Sequence, residues 1–170
     1  MDDAGHLFSG SALGEVAPDG AVRLPEFVRR VIERRGGTDP VVIGVHESDP
    51  CVTAHLRGDW PSIRAELERR RLRDEAAGAG FDEHHRRARR TFGLAEERQT
   101  DRRGRIVLPE LMRRRGRIDG LALFIGTGAG FEIWNPEVAR EAGGEELRAL
   151  AEYRLGERAH RQAPRRRTTR

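Results

Sequence analysis

The sequence predicts an α+β fold with a mainly β core, because one pattern of short strands around a small helix occurs twice. Residues 20–30, GAVRLPEFVRR, return as residues 104–114, GRIVLPELMRR, at an offset of 84 residues. Two apolar strand candidates recur at an offset of 80 residues, namely 41–45 as 121–125 and 51–54 as 131–134. Each half therefore contains a glycine turn, a strand ending in Leu-Pro, a short basic helix and two further strands. A duplicated unit of this size predicts two small domains that share a core.

The first predicted domain covers residues 7–58. Short strand candidates at 7–8 and 13–16 lie on either side of a Ser-Gly turn. A helix is predicted over 26–35, because four apolar residues recur on one face at three- and four-residue spacing: Phe27, Val28, Val31 and Ile32. A proline before this helix and a glycine pair after it are typical helix boundaries.

A helical connector over 59–90 is predicted to join the two halves. Its first helix begins near Pro61 and ends at the Ala-Gly-Ala-Gly stretch 77–80. Asp82 is expected to cap a second helix, since an aspartate side chain can accept hydrogen bonds from the first turn. The arginine blocks 69–71 and 86–90 are expected to be solvated helix faces, and a DNA-facing role is the less favoured alternative.

The second predicted domain covers residues 91–137. Asn135, followed by a proline, is expected to cap the helix that leaves this domain. A C-terminal helix is predicted over 138–155, where leucine and alanine residues form an apolar stripe. Residues 156–170 are rich in arginine and poor in apolar side chains, which predicts a basic, disordered tail.

Composition limits the classes of function. Of the 170 residues, 36% are hydrophobic and 35% are charged, and the net charge is +4. Every Lys-or-Arg position is arginine; a GC-rich genome explains this most simply, so the arginines do not by themselves indicate nucleic acid. The single cysteine, Cys51, suits a reducing compartment. Residues 1–10 lack the apolar core of a signal peptide, and no apolar run approaches the roughly 20 residues of a membrane span. We therefore expect a cytoplasmic protein without a membrane partner.

The stretch from Asp101 to Arg105, DRRGR, is the sharpest candidate site. A glycine between arginines, just before a strand, predicts a tight and exposed turn. Asp101 and Arg105 could pair across this turn, which would leave Arg102 and Arg103 free to bind phosphate. A hairpin that merely tolerates solvent explains the same residues equally well.

Other motifs point away from catalysis and cofactors. The GTGAG stretch 126–130 resembles a phosphate-binding loop, but a strand follows it where a helix is required, so a hairpin turn is favoured. His84 and His85 are adjacent on a predicted helix and point to different faces, which does not suit metal chelation. No nucleophile has a base nearby. We expect no enzyme activity, no cofactor, no metal and no small-molecule substrate.

The repeated strand-and-helix pattern with its helical connector resembles the MraZ family over about residues 8–140. The family's marker is Asp-x-x-x-Arg followed by a strand into Leu-Pro or Ile-Pro, and the second half keeps it as Asp101, Gly104, Arg105 and Leu108–Pro109. The resemblance implies two SpoVT-AbrB-like swapped-hairpin units that form one small β-barrel with peripheral helices. It also implies a nucleoid-associated transcriptional regulator of the division and cell-wall gene cluster, which binds promoter repeats in double-stranded DNA as a ring-shaped homo-oligomer.

The first half departs from this marker. The aspartate position is Ala17 and the arginine position is Ala21, so only Gly20 of the turn remains, and Arg23 on the same strand face could partly substitute for the lost arginine. The DNA-binding residues implied by the resemblance are Arg102, Arg103, Gly104, Arg105, Gly20 and Arg23, with Asp101 orienting Arg105. The alternative hypothesis is a degenerate ring protein that has lost specific DNA binding and acts through protein partners. An antitoxin of the AbrB type is disfavoured, because such chains usually carry one unit.

Overall fold

The structure is a computed structural model, and it describes residues 6–163. Within this range it contains eight strands: β1 (Ser11–Glu15), β2 (Ala21–Arg23), β3 (Val41–Val45), β4 (Val52–Leu56), β5 (Glu96–Arg98), β6 (Arg105–Val107), β7 (Leu121–Gly126) and β8 (Phe131–Trp134). The same range contains six α-helices: α1 (Glu26–Arg34), α2 (Trp60–Ala76), α3 (Phe81–Ala88), α4 (Glu110–Gly116), α5 (Pro136–Ala142) and α6 (Glu145–Gln162). The fold is therefore α+β, as the sequence predicts.

The short helix after each Leu-Pro step forms where the pattern predicts it. Helix α1 begins directly after Pro25 and buries Val28, Val31 and Ile32 on its inner face. Helix α4 begins after Pro109 in the same way and buries Met112. In both helices a glutamate occupies the first turn and arginine the last turn, and these charges interact favourably with the helix dipole.

Six strands form one antiparallel sheet in the order β1-β7-β8-β4-β3-β5, and β2 pairs with β6 in a separate two-stranded ladder. The first strand of the first half, β1, pairs with β7, whereas β5 pairs with β3. Strands β4 and β8 pair at the centre of the sheet. Each end of the sheet therefore combines a strand from one part of the chain with strands from the other.

The prediction of one closed β-barrel is wrong. The large sheet is open, because its edge strands β1 and β5 lie at opposite ends of the strand order. Strands β2 and β6, which could have closed it, have three residues each. They form their ladder hydrogen bonds with one another. Strand β2 adjoins the large sheet through an isolated bridge between Val16 and Val22.

A single large apolar cluster lies between the large sheet and the ladder. The ladder contributes Val22 and Ile106, which are buried from opposite strands. Phe124 and Phe131 from the large sheet pack in the same cluster with tilted rings, 6.3 Å between centroids. Because both parts of the chain supply this cluster, the ladder is held rigidly against the sheet.

The connector helices fold back onto the β3–β4 loop through ion pairs. Arg70 binds Glu47 at 2.9 Å, and Arg87, only 14% exposed in its side chain, pairs with both Asp74 and Glu47. The prediction that these arginine blocks are simply solvated faces is wrong for Arg87. The prediction that Asp82 caps α3 is also wrong, because α3 begins one residue earlier and its N-cap is a glycine, which leaves Asp82 in the first turn.

The C-terminal region differs from its prediction at two points. Asn135 caps α5 as expected, since its Oδ1 accepts hydrogen bonds from the first-turn amides. The helix predicted over 138–155 is interrupted at Gly143 and Gly144, which separate α5 from α6.

The disordered tail predicted from residue 156 is wrong as far as Gln162, because α6 continues to that residue. Arginines near this boundary are instead held in place. Arg154 donates to Ser11 Oγ at 2.8 Å, and Arg158 binds Glu15 at 2.9 Å, so both tie α6 to β1. Residues 164–170 of the predicted tail lie outside the described residues. None of the helices in the described range is both long and apolar enough to cross a membrane.

Candidate nucleic-acid interface

The DRRGR stretch forms a closed turn immediately before β6. The Asp101 amide donates to the Arg105 carbonyl at 2.9 Å, and the Gly104 amide donates to the Asp101 carbonyl at 3.0 Å. Gly104 has a φ of 72°, a conformation that favours glycine. The sequence therefore specifies this turn through the position of its glycine.

The carboxylate of Asp101 fixes the turn from inside. Its Oδ1 accepts hydrogen bonds from the amides of Arg103 at 2.8 Å and Arg105 at 2.9 Å. Its Oδ2 accepts a third from Nε of Arg105 at 2.9 Å, so the expected ion pair is present. The backbone hydrogen bond from Arg105, followed by the bond from its side chain, holds the pKa of Asp101 below its usual range. The lowered pKa favours the ionised carboxylate, which orients Arg105 through the hydrogen bond to its Nε.

The remaining arginines of the turn are available to a ligand. Arg102 and Arg103 are exposed, and neither guanidinium has a hydrogen bond or ion pair within residues 6–163. Arg105 is also exposed and binds Asp101 through Nε, which leaves its two terminal nitrogens without a hydrogen bond among the described residues. The turn thus presents three cations on one exposed loop.

The first half contains a turn with the same backbone hydrogen bonds but without these cations. The Ala17 amide donates to the Ala21 carbonyl at 2.9 Å, and the Gly20 amide donates to the Ala17 carbonyl at 2.8 Å. Gly20 has a φ of 90°. Asp19 Oδ1 accepts from the Ala21 amide at 3.0 Å, and so replaces part of the role of Asp101. The sequence analysis missed Asp19, although an aspartate before a turn glycine is a known signal.

The ladder register determines where Arg23 lies. Arg23 is opposite Arg105, and Ala21 is opposite Val107, so the two turns sit at opposite ends of the ladder. Val22, between them, points into the core. Arg23 shares the outer face with Ala21, as expected, but it lies beside the second turn. Its positive charge is therefore added to the second turn rather than replacing an arginine in the first.

One further arginine lies against each turn and comes from the opposite half of the chain. Arg29 donates from Nε to the Leu24 carbonyl at 3.1 Å, and a Cβ on Gly104 would lie 2.6 Å from its Cδ. Arg113 donates to the Pro18 carbonyl at 3.2 Å, beneath the first turn. These residues occupy equivalent positions in the sequence repeat, which is the signal that could have identified them.

Three relatives found by comparison with known proteins carry the same name. No protein-family model matches the chain. A transcriptional regulator MraZ from Gluconobacter oxydans is 28% identical over 153 residues, which cover 87% of this chain and 89% of the relative. The MraZ of Pseudomonas syringae pv. tomato is 24% identical over 145 residues, covering 85% and 90%. The MraZ of Legionella pneumophila is 25% identical over 134 residues, covering 78% and 82%. The chain is therefore similar to transcriptional regulators of the MraZ family over most of its length.

The glycine-rich stretch after β7 is a hairpin turn between β7 and β8, as the sequence favoured. Three amides of this stretch already donate hydrogen bonds: two of them are Gly126, which donates to the Gly10 carbonyl at 2.8 Å, and Gly128, which donates to the Phe8 carbonyl at 3.0 Å. The Thr127 amide donates to the Gly130 carbonyl at 2.9 Å. The bonds from Gly126 and Gly128 hold the N-terminal segment against the β7–β8 hairpin.

The two adjacent histidines also lie outside any metal-binding arrangement. The rings of His84 and His85 are 5.9 Å apart and tilted by 53°. Across the part of the chain that the structure describes, no group of three or more His, Cys, Asp or Glu residues could hold a metal ion. Among the predicted motifs, the second turn is therefore the strongest candidate site.

Proposed function

We propose that this protein is a DNA-binding transcriptional regulator of the MraZ type, and that the second turn contacts the DNA. The observation that carries the proposal is the preformed turn itself, in which Asp101 fixes Arg105 while Arg102 and Arg103 remain unpaired among the described residues. The relatives at 22–28% identity are all named transcriptional regulators, and none is named as an enzyme. Arginine side chains can form bidentate hydrogen bonds with phosphate oxygens and with O6 and N7 of guanine.

The finer description of the fold belongs to this proposal. Residues 7–58 and 91–137 would be two SpoVT-AbrB-like units, with residues 59–90 as the connector. The strand pairing supports this view, because the first strand of each unit pairs with a strand of the other. Reciprocal hydrogen bonds join the turns to the opposite Leu-Pro steps: Leu24 N–H to the Gly104 carbonyl at 2.8 Å, and Leu108 N–H to the Gly20 carbonyl at 2.9 Å.

The functional assignments differ for the two turns. In the second turn, Arg102, Arg103 and Arg105 contact DNA and the Gly104 conformation brings them together. In the first turn, Gly20 keeps the backbone shape but Asp19 adds a negative charge, which opposes binding to phosphate. One strong site per chain is the result.

We further propose that the chain assembles into a ring-shaped homo-oligomer in the cytoplasm, associated with the nucleoid. Each subunit then offers one turn, and repeated sites in the promoter of the division and cell-wall gene cluster engage several turns at once. Binding of linked sites raises the overall affinity well beyond that of one site. This arrangement offsets the loss of the cations in the first turn.

The test is a titration of the full-length protein against its own upstream promoter and a scrambled duplex of equal length, at two salt concentrations. Arg105→Ala should abolish the preference for the promoter, while Asp101 still accepts the two backbone hydrogen bonds that hold the turn. Arg64→Ala, which removes an exposed arginine of α2, is the control with the same charge change.

Thermal unfolding of each variant separates loss of binding from loss of fold. An unchanged preference in a folded Arg105→Ala protein would overturn the assignment of the second turn. If the wild-type protein binds both duplexes equally, the alternative of a ring protein that acts through protein partners takes the place of this proposal.

A further inference from the structure

A cleft of about 260 Å³ lies beside the second turn, and both halves of the chain line it. The first half supplies Arg23 from β2 and Arg29 and Glu33 from α1. The second half supplies the outer edge of the turn, namely Thr100, Asp101, Arg102, Arg103 and Gly104. Because the turn and the strand come from different halves, the cleft exists only when the ladder is formed.

The charges of the cleft favour an anion. Four arginines and two acidic residues line it, and one of the acidic residues, Asp101, is already bound to Arg105. Arg23 has no hydrogen bond or ion pair within the described range, and it lies directly opposite Arg105 in the ladder. Like charges directly opposite one another in a ladder are destabilising. Arg105 does not line the cleft, so an anion bound there would reduce this repulsion through its contact with Arg23.

The cleft also contains an unused hydroxyl group. Thr100 Oγ1 is shielded from solvent and has no hydrogen-bond partner among the described residues. A shielded polar atom without a partner is unusual in a folded protein. Thr100 lines the cleft together with four arginines, and such a set of hydrogen-bond donors suits a ligand with several acceptor oxygens, such as a phosphate.

We infer that this cleft is a phosphate-binding site built jointly by Arg23 of the first half and the outer edge of the second turn. The inference rests on the proposed function, in which a phosphate of the DNA backbone fills the cleft. It extends that function by assigning Arg23 and Thr100 to backbone contact, whereas Arg105 distinguishes the promoter from other sequences. Contacts of the first kind position a protein on DNA, and contacts of the second kind give specificity.

The first experiment uses inorganic phosphate as the probe and does not depend on DNA. The full-length protein is titrated with phosphate at constant ionic strength, with sodium chloride as the control salt, while amide resonances are followed by NMR. The amides of Thr100 and Gly104 should shift with a saturable dependence on phosphate. Arg23→Ala and Thr100→Val should weaken this response, and Glu33→Gln should strengthen it because it removes a negative charge from the cleft.

The second experiment measures affinity for the promoter duplex and the scrambled duplex over a range of salt. Arg23→Ala should weaken binding to both duplexes equally and reduce the slope of log affinity against log salt by about one. Glu33→Gln should tighten binding to both. The matched control is Arg64→Ala, whose side chain does not line the cleft.

Opposite effects of Arg23→Ala and Glu33→Gln would support the inference, since damage to the fold weakens binding in both cases. Absence of a phosphate-specific shift at Thr100 and Gly104 overturns the inference, even if Arg105→Ala abolishes promoter preference and the proposed function stands. A phosphate shift without any effect of Arg23→Ala on DNA affinity overturns the assignment to backbone phosphate and leaves a site for free phosphate. If neither duplex binds but phosphate does, the proposed function fails and the anion site remains.

Discussion

At the scale of single residues, Asp101 determines the geometry of the candidate site. It accepts three hydrogen bonds, two from backbone amides and one from the Arg105 side chain. These bonds hold its pKa below the usual value of 3.8. A carboxylate with a lowered pKa contributes stability above its unfolded pKa, and that contribution disappears as the pH falls through the lower folded value.

The hydrogen bonds to Asp101 should be visible in its titration. Carbon NMR of its carboxyl group should give a midpoint below 3.8 in the wild-type protein. In Arg105→Ala the midpoint should rise but stay below 3.8, because the largest cause, the hydrogen bond from the residue 105 amide, remains. A wild-type midpoint at or above 3.8 would show that the carboxylate does not hold the turn.

Gly104 gives a second prediction at this scale. Alanine at this position adopts a strained φ near 72° and places its Cβ 2.6 Å from Arg29 Cδ, so Arg29 must move. We expect Gly104→Ala to lower the free energy of unfolding by about 1–2 kcal/mol from strain, with a further loss from displacement of Arg29. Gly78→Ala is the matched control, because Gly78 has a φ of 77° and a Cβ added there would meet no atom of a more distant residue within 4 Å. Urea unfolding should show the larger loss for Gly104→Ala, and equal losses would contradict the contact with Arg29.

At the scale of elements, the first turn has the backbone conformation of the second turn but lacks its arginines. Its two backbone hydrogen bonds match those of the second turn, and Asp19 supplies the side-chain acceptor. The repeat in the sequence predicts this shared conformation through Gly20. Asp19 could not be found by matching the family's marker, because it stands two residues away from the expected aspartate position, Ala17.

The double substitution Ala17→Asp with Ala21→Arg should therefore add a second binding turn to a conformation that already exists. We expect tighter binding to the promoter duplex and a steeper dependence on salt, because a further arginine meets the DNA. Ala21→Arg alone is the control, since it adds the charge without the carboxylate that orients it. Electrophoretic mobility shift or fluorescence anisotropy can rank the three proteins. No gain for the double variant over Ala21→Arg would show that an oriented arginine at this turn does not reach DNA.

The strands and short helices were the most predictable elements. Residues 41–45 and 121–125 are apolar runs bounded by turn residues, and the structure has strands at both places. Pairing between strands was less predictable, because a duplicated sequence does not specify whether a strand pairs within its own half or with the other half. The position of Arg23 beside the second turn follows from that pairing, so it needed the structure.

At the scale of the whole molecule, the two halves depend on one another. Strands β1, β2 and β4 of the first half pair with β7, β6 and β8 of the second. The C-terminal helix α6 also returns to β1 through Arg154 and Arg158. The predictions of a closed barrel and of a disordered tail were wrong for a related reason. Local composition does not specify the distant element with which a strand pairs or to which an arginine binds.

This mutual dependence predicts the behaviour of a fragment. Residues 1–90 alone should not give a monomer with a cooperative unfolding transition. The reason is that β1, β2 and β4 lose their partner strands and the apolar core is exposed. Analytical ultracentrifugation together with circular dichroism during urea unfolding tests this. A monomeric fragment that unfolds cooperatively would contradict the shared core.

The most direct test of the central claim is a competition experiment, in which the wild-type protein binds a labelled duplex of its own promoter while unlabelled promoter or scrambled duplex is added. The claim that the second turn recognises DNA predicts that promoter competes at much lower concentration than scrambled duplex, and that this difference vanishes in Arg105→Ala but persists in Arg64→Ala. Equal competition by both duplexes, or a difference that survives Arg105→Ala in a folded protein, would contradict it.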